Sequence, residues 1–108
     1  MRIVIEIIKS FISGIFAGWA NDEIKRNNYK GAKWRVLKSI KYAPNDYSLV
    51  MAHTVNAKVN FLLTEYLEAN KSFNIVSELL IKNPDYEEFP ELTDVIKEIE
   101  KLFNRRVK

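Results

Sequence analysis

The sequence of 108 residues predicts an all-α fold of about five helices. Apolar residues recur at spacings of three and four along most of the chain, which is the period of a helix with one buried face. No run of four or more residues alternates apolar and polar side chains between turn signals, as a strand pair would. A chain of this length forms a core without disulfides, so we expect a single helical domain over residues 1–108.

The first helix is predicted to run from Arg2 to near Arg26. It ends at Asn27 and Asn28 because asparagine tolerates the left-handed conformation that often stops a helix. Its apolar residues recur at helical spacing, and we expect them to form a wide buried face. This face contains Val4, Ile8, Phe11, Ile12, Ile15 and Trp19. The opposite side contains Arg2, Glu6, Lys9 and Ser13.

The width of this apolar face bears on oligomeric state and location. Four further short helices cannot cover so wide a face, so we expect a homodimer through the first helix. A row of small residues, Ser10, Gly14 and Gly18, is expected to permit close helix packing. Glu6 and Lys9 interrupt the apolar run, so no transmembrane span or signal peptide is expected. The absence of cysteine is typical of a reducing compartment, and we expect a cytoplasmic protein.

Proline and asparagine residues set the boundaries of the other helices. The second helix is predicted to stop before Pro44, because a proline ring disfavours helix in the residue ahead of it. Asp46 is the expected N-cap of the third helix, and Pro84 ends the fourth. The fifth helix begins near Pro90, since proline is favoured in a first turn. The predicted helices after the first cover residues 29–42, 46–70, 73–82 and the chain from Pro90 onward.

A regular order of large and small residues extends from Ser13 to Asp46. Its positions are occupied in turn by Phe16, Trp19, Ala20, Ala32, Val36, Ser39 and Pro44. This order resembles one unit of the tetratricopeptide repeat, although Glu23 stands where that family has tyrosine. A second, distorted unit has Ser72, Val76 and Leu79 ahead of Pro84. Its proline follows Pro44 by 84 − 44 = 40 residues, against about 34 in the family.

The resemblance implies stacked antiparallel hairpins with the C-terminal helix as a cap, and a bundle of four or five helices is the alternative. In the tetratricopeptide family, the first helices of the units line a concave groove that holds a peptide or a protein surface. Asn21 falls where some members use asparagine to bind a ligand backbone. Ala17 stands where members that bind carboxylate ends have lysine, so that specific activity is not expected.

Three polar residues of the third helix share one edge at spacings of three and four: His53, Asn56 and Asn60. They are candidate groove residues. The alternative is that Asn56 satisfies a buried backbone group and His53 is exposed, and this alternative is favoured.

The second helix lies within a basic segment, residues 25–41, which holds seven Lys or Arg and no acid. Its predicted buried side contains Tyr29, Ala32, Val36, Ser39, Ile40 and Ala43. The other side contains the candidate partner-binding residues Lys30, Lys33, Lys38 and Lys41, with Trp34 among them. Three interpretations remain open. The charge is solvated or neutralised by the acidic segment 82–100, or Trp34 anchors a protein contact, or the helix binds nucleic acid or anionic lipid.

No catalytic motif is present in the sequence. His53 is the single histidine, and it has no HExxH partner or nearby Ser and Asp arrangement. The acids before and within the last helix are explained by the helix dipole. We therefore expect a protein without enzymatic activity or cofactor that acts as a protein-protein interaction module. The alternatives are a small inhibitor or immunity-type protein that neutralises a cognate target and, less favoured, nucleic-acid binding through the basic helix.

Overall fold

The computed structural model describes residues 2–107, except for the side chains at 87, 91, 95 and 105–107. Over that range all regular secondary structure is helical, so the predicted all-α fold is confirmed. The helices are α1 (Arg2–Lys25), α2 (Tyr29–Tyr42), α3 (Asp46–Leu62), α4 (Tyr66–Lys82) and α5 (Pro90–Val107), with a 3-10 segment at Pro84–Glu88.

The helices form two stacked hairpins and a last helix. α1 pairs with α2, and α3 pairs with α4. The hairpins stack because α3 packs against both α1 and α2, and α5 also packs against α3. α3 is therefore the central helix of the protein.

Both hairpins turn through the same backbone arrangement. Asn27 and Thr64 have φ angles of 62° and 61°. The amide of the following residue donates to a carbonyl five residues earlier, over 2.8 Å from Asn28 to Glu23 and over 2.8 Å from Glu65 to Asn60. This pattern is the usual C-terminal stop of a helix. The predicted end of the first helix at the asparagine pair is thus confirmed.

Three predicted boundaries are wrong. The third helix stops at Leu62, not near residue 70, and the fourth begins at Tyr66, not residue 73. Sequence reasoning missed this turn because a β-branched residue such as Thr64 rarely adopts a positive φ. The N-cap of α3 is Asn45, not Asp46, since the Asn45 side chain accepts a 2.9 Å hydrogen bond from the amide of Ser48.

The core consists of two apolar clusters that meet at α3. One joins α1, α2 and α3 through Ala20, Ile24, Ala32, Val36, Val55 and Val59. The other joins α3, α4 and α5 through Val50, Val76 and Leu92. The predicted buried side of α2 is confirmed, because Ala32, Val36 and Ser39 are all inaccessible to solvent.

α1 and α2 cross at a pair of serines. The hydroxyl of Ser13 donates to the carbonyl of Ser39 over 2.8 Å, and the hydroxyl of Ser39 donates to the carbonyl of Ser13 over 2.7 Å. Both serines are buried, and their small size lets the two backbones approach closely. The reciprocal bonds satisfy both hydroxyls without water.

The predicted buried face of α1 is wrong. Of its six residues only Ile12 is half-buried, while Val4, Ile8, Phe11, Ile15 and Trp19 are all exposed by 45% or more. α1 packs instead through Ser13, Ala17, Ala20 and Ile24. This side of α1 faces the core because its small residues permit close contact with α2 and α3, which the bulky apolar residues would prevent.

Candidate functional site

An open groove lies between α1, α3 and α5. Its first part has a volume of about 300 Å³ and is walled by small residues of α1, among them Gly14, Ala17 and Gly18, and by Met51 and Val55 of α3. Its second part, of about 260 Å³, lies between Asn21 and Lys25 of α1, Val55 and Lys58 of α3, and Glu98 of α5. The two parts share Asn21 and Val55, so they form one continuous depression.

The glycines in the wall of this groove have no packing role within the chain. A Cβ atom built on Gly14 or Gly18 meets no atom of the described residues within 4 Å, apart from its chain neighbours and the backbone of its own helix. Glycine inside a helix costs about 1 kcal/mol of stability relative to alanine. The small-residue row was expected to permit close helix packing, but in this chain Gly14 and Gly18 are exposed. The row therefore leaves the backbone of α1 open to approach from outside the fold.

The second part of the groove is polar. The Lys58 ammonium pairs with the Glu98 carboxylate, which ties α3 to α5. Lys25 is exposed beside this pair. Asn21 is half-buried, and none of the side-chain hydrogen bonds found within residues 2–107 involves its amide. Its donor and acceptor are therefore available to a ligand at the junction of the apolar and polar parts.

Asn56 and Asn60 do not line the groove. Both are buried on the side of α3 that faces α4. The Asn56 amide donates to the Ser72 hydroxyl over 2.7 Å, and the Asn60 amide donates to the Asn56 carbonyl oxygen over 3.1 Å. The two asparagines thus connect α3 to α4. Asn56 is buried as expected, but its partners are the side chains of Ser72 and Asn60 and not a backbone group.

The expectation that His53 is exposed is wrong, because its side chain is half-buried. Its Nδ1 atom is buried and has no hydrogen-bond partner among the described residues. Burial lowers the pKa of its imidazole below the ordinary value of 6.5, because desolvation penalises the charged form. The folded protein therefore holds this side chain neutral at pH values where the unfolded chain is protonated.

We expect the stability of the protein to fall as the pH drops below about 6.5, because the unfolded state then binds more protons at His53. Above this pH the imidazole is neutral in both states and contributes no pH dependence. The slope should not exceed about 1.4 kcal/mol per pH unit. Urea unfolding at several pH values, from mildly alkaline to mildly acidic, measures it. His53→Gln is the control and should flatten the profile; identical slopes in the two proteins would contradict the prediction.

The basic side of α2 does not form one uniform surface. Lys33 pairs with Glu65 in the turn of the second hairpin, so its charge is neutralised. Lys30 and Lys41 are exposed. The acidic segment 82–100 packs with α3 and α4, and its Glu98 pairs with Lys58. Among the ion pairs of the described residues, only the Lys33 pair uses a lysine of α2.

Trp34 belongs to an aromatic and basic cluster across α1 and α2. Its ring is 56% exposed. The Arg35 guanidinium lies 4.3 Å from the ring centroid of Trp19 and 5.7 Å from that of Trp34. The Lys38 ammonium lies 5.6 Å from the Trp34 ring, and Phe16 stacks with Trp19 at 6.2 Å. We call these residues and Tyr42, which stacks on Phe16, the Trp34 cluster.

Comparisons with known proteins return no match: no family model, no curated protein and no solved structure is similar to this chain. Among the helices that the structure describes, α1 is long and apolar enough to cross a membrane by length and composition. Within residues 2–107, the described His, Asp and Glu side chains form no group of three that could hold a metal ion.

Proposed function

We propose that this protein is a non-enzymatic interaction module that holds a segment of another protein in the groove between α1, α3 and α5. The proposal rests on the two glycines in the wall of this groove. Gly14 and Gly18 cost helix stability and relieve no contact within the chain. Their lack of a side chain is useful only to something outside the chain that approaches the backbone of α1.

The composition of the groove favours an amphipathic peptide segment as the ligand. Ala17, Met51 and Val55 would contact its apolar side chains. Asn21 would bind its backbone, the role that the tetratricopeptide resemblance implies for this position. Lys25 and the pair of Lys58 with Glu98 would contact its polar end. The two hairpins with equivalent turns support a tetratricopeptide-like assembly, in which alternate helices line such a groove.

Filling the groove tests the proposal. Gly18→Leu places a bulky side chain in the groove at a position where a Cβ atom has open space, so the variant should fold normally and lose the partner. Asn74→Leu is the matched control, because it adds the same side chain to an exposed position of α4. Affinity capture from the native host should return the same partner with the wild type and Asn74→Leu. With Gly18→Leu the recovery should fall about tenfold or more.

Two outcomes would contradict the proposal. Recovery of the same partner by Gly18→Leu would mean that the groove is not the binding site. Loss of stability in Gly18→Ala would mean that the glycine serves the fold, whereas we expect this variant to gain up to about 1 kcal/mol.

The nature of the captured protein separates an adaptor from an inhibitor. An adaptor should return components of cellular machinery, and an inhibitor or immunity-type protein should return one toxin or enzyme. One observation favours the inhibitor alternative: acidic residues of the 3-10 segment and α5 are exposed, as is typical of proteins that block cationic active sites. These residues are Asp85, Glu88, Asp94 and Glu100.

A further inference from the structure

The apolar side of α1 is left uncovered by the rest of the protein. α1 has 24 residues and α2 has 14, so α1 is 24 − 14 = 10 residues longer and its first turns extend past the end of α2. We use the name α1 stripe for its exposed apolar residues. They are Ile3, Val4, Ile5, Ile7, Ile8, Phe11, Ile15 and Trp19.

The α1 stripe is too wide to be covered by one flat protein surface. Successive residues of a helix are about 100° apart, so Ile3 and Ile5 point in nearly opposite directions. They are 73% and 52% exposed. Only Arg2, Glu6 and Lys9 form a narrow polar strip along this part of the helix. A helix that is apolar around most of its circumference is suited to immersion in a lipid phase.

Basic and aromatic residues border the stripe where α1 meets α2. Arg35 covers Trp19 at the end of the stripe, and Lys38 lies against Trp34. Lys41 is exposed one turn after Lys38. None of these three cations has an ion-pair partner among the described residues. Tryptophan with lysine and arginine is the composition that proteins present to the headgroup region of a membrane.

We propose that the α1 stripe docks on an anionic lipid bilayer. α1 lies in the headgroup region with its isoleucines and Phe11 in the acyl boundary, while Lys38 and Lys41 contact lipid phosphates. The helix does not cross the bilayer, because its contact with α2 through Ser13 and Ser39 would then have to break. The stripe adjoins the groove wall, because Gly14 lies in one depression with Phe11 and Ile15. The stripe residues, Lys38 and Lys41 do not themselves line the groove, so the lipid contact does not depend on a ligand bound there.

The charges favour a lipid surface over a second copy of the chain. A two-fold dimer through the stripe uses the same surface of both copies. The basic residues Arg35, Lys38 and Lys41 of each copy would therefore lie at the edge of the dimer interface. Like charges would then be concentrated around the interface, which weakens association. An anionic bilayer offers the opposite charge to the same residues, so each basic residue near the surface adds to the attraction.

Co-sedimentation with vesicles tests the proposal. The full chain is mixed with vesicles of phosphatidylcholine alone or of phosphatidylcholine with phosphatidylglycerol. We expect sedimentation with the anionic vesicles, together with a blue shift of tryptophan emission as Trp19 and Trp34 leave water. Phe11→Glu with Ile15→Glu should lower the partition coefficient about tenfold or more, and Lys38→Glu with Lys41→Glu should lower it by a similar factor.

The matched control is Leu67→Glu with Ile81→Glu, which removes two exposed apolar residues of α4 and should bind as the wild type does. Gly18→Leu should also bind vesicles normally, so failure of the groove proposal is distinguishable from failure of this one. Circular dichroism checks that each variant is folded. All the substituted apolar residues are exposed, so we expect unchanged helix content.

Three outcomes would overturn the proposal. The first is no sedimentation of the wild type with anionic vesicles. The second is a loss of binding in the lysine variant alone, which would indicate a general polyanion site such as one for nucleic acid. The third is a particle of twice 12.7 kDa that ignores vesicles and dissociates with Phe11→Glu, which would assign the stripe to a second copy.

Discussion

Ala32→Phe is expected to lower the free energy of unfolding by more than about 2 kcal/mol. Ala32 is fully buried where α1, α2 and α3 meet, and it belongs to the cluster of Ala20, Val36 and Val59. A phenyl ring needs space that these neighbours already fill. The helices would have to separate, and the close contact that small residues allow between α1 and α2 would be lost. Urea or thermal unfolding measures the effect.

Lys30→Phe is the matched control for this variant. It adds the same ring to the same helix at an exposed position, so its stability should stay within about 0.5 kcal/mol of the wild type. If Ala32→Phe unfolded at the same denaturant concentration as Lys30→Phe, the position would not be the tight contact that the structure indicates.

Helix α2 could be predicted almost completely from the sequence. Its bounds, its buried side and its small residues all follow from local signals: the apolar period, the asparagine before it and Pro44 after it. These signals act within a few residues of the helix itself. The same is true of the turn at Asn27, where the residue type matches the positive φ.

The orientation of α1 could not be predicted, because the pattern of a helix shows which side is apolar but not whether the chain supplies a partner for it. Close packing selected the side with Ser13, Ala17 and Ala20. The signal that could have found it was the line of small residues, since only small side chains let two helices come together at a serine pair.

The candidate site residues also fall into two groups, those that line the groove and those that pack inside the fold. Asn21 lines the groove, while Asn56 and Asn60 join α3 to α4. Their spacing placed the two asparagines on one edge of the helix, but only the position of α4 decides what that edge faces. The turn at Thr64 decides what this edge faces, because it brings α4 back along α3. Because the turn at Thr64 could not be predicted from the sequence, the packing of α4 against α3 could not be predicted either.

α1 thus has three sets of residues with different surroundings. Its small residues hold the fold, its glycines border the groove, and its bulky apolar residues are exposed. An amphipathic helix of a globular protein usually turns its bulky apolar side toward the protein core. In this protein the core is built by alanine, serine and valine instead, which leaves the bulky side for an external contact.

The turn before α2 carries the second large effect. We expect Asn28→Ala to lower the free energy of unfolding by about 2 to 3 kcal/mol. The side-chain Oδ1 of Asn28 caps α2 by accepting from the backbone amide of Gly31 over 3.2 Å, and the side-chain amide of Asn28 donates to the carboxylate of Glu23. Glu23 is only 6% exposed, and it also forms an ion pair with Arg26 over 3.6 Å. The substitution therefore removes a cap and also leaves a buried carboxylate with one hydrogen bond fewer.

Asn45→Ala separates these two contributions. Asn45 caps α3 through the amide of Ser48 and supports no buried carboxylate in the described hydrogen bonds, so its loss should cost only about 1 kcal/mol. The difference between the two variants, measured by urea unfolding at neutral pH, is the cost of leaving Glu23 without its amide donor. Adding Glu23→Gln to Asn28→Ala should recover part of that difference, because a neutral amide is less costly to bury than a carboxylate. Equal losses in Asn28→Ala and Asn45→Ala would mean that the contact with Glu23 contributes nothing, and that Glu23 is stabilised by solvent and Arg26 alone.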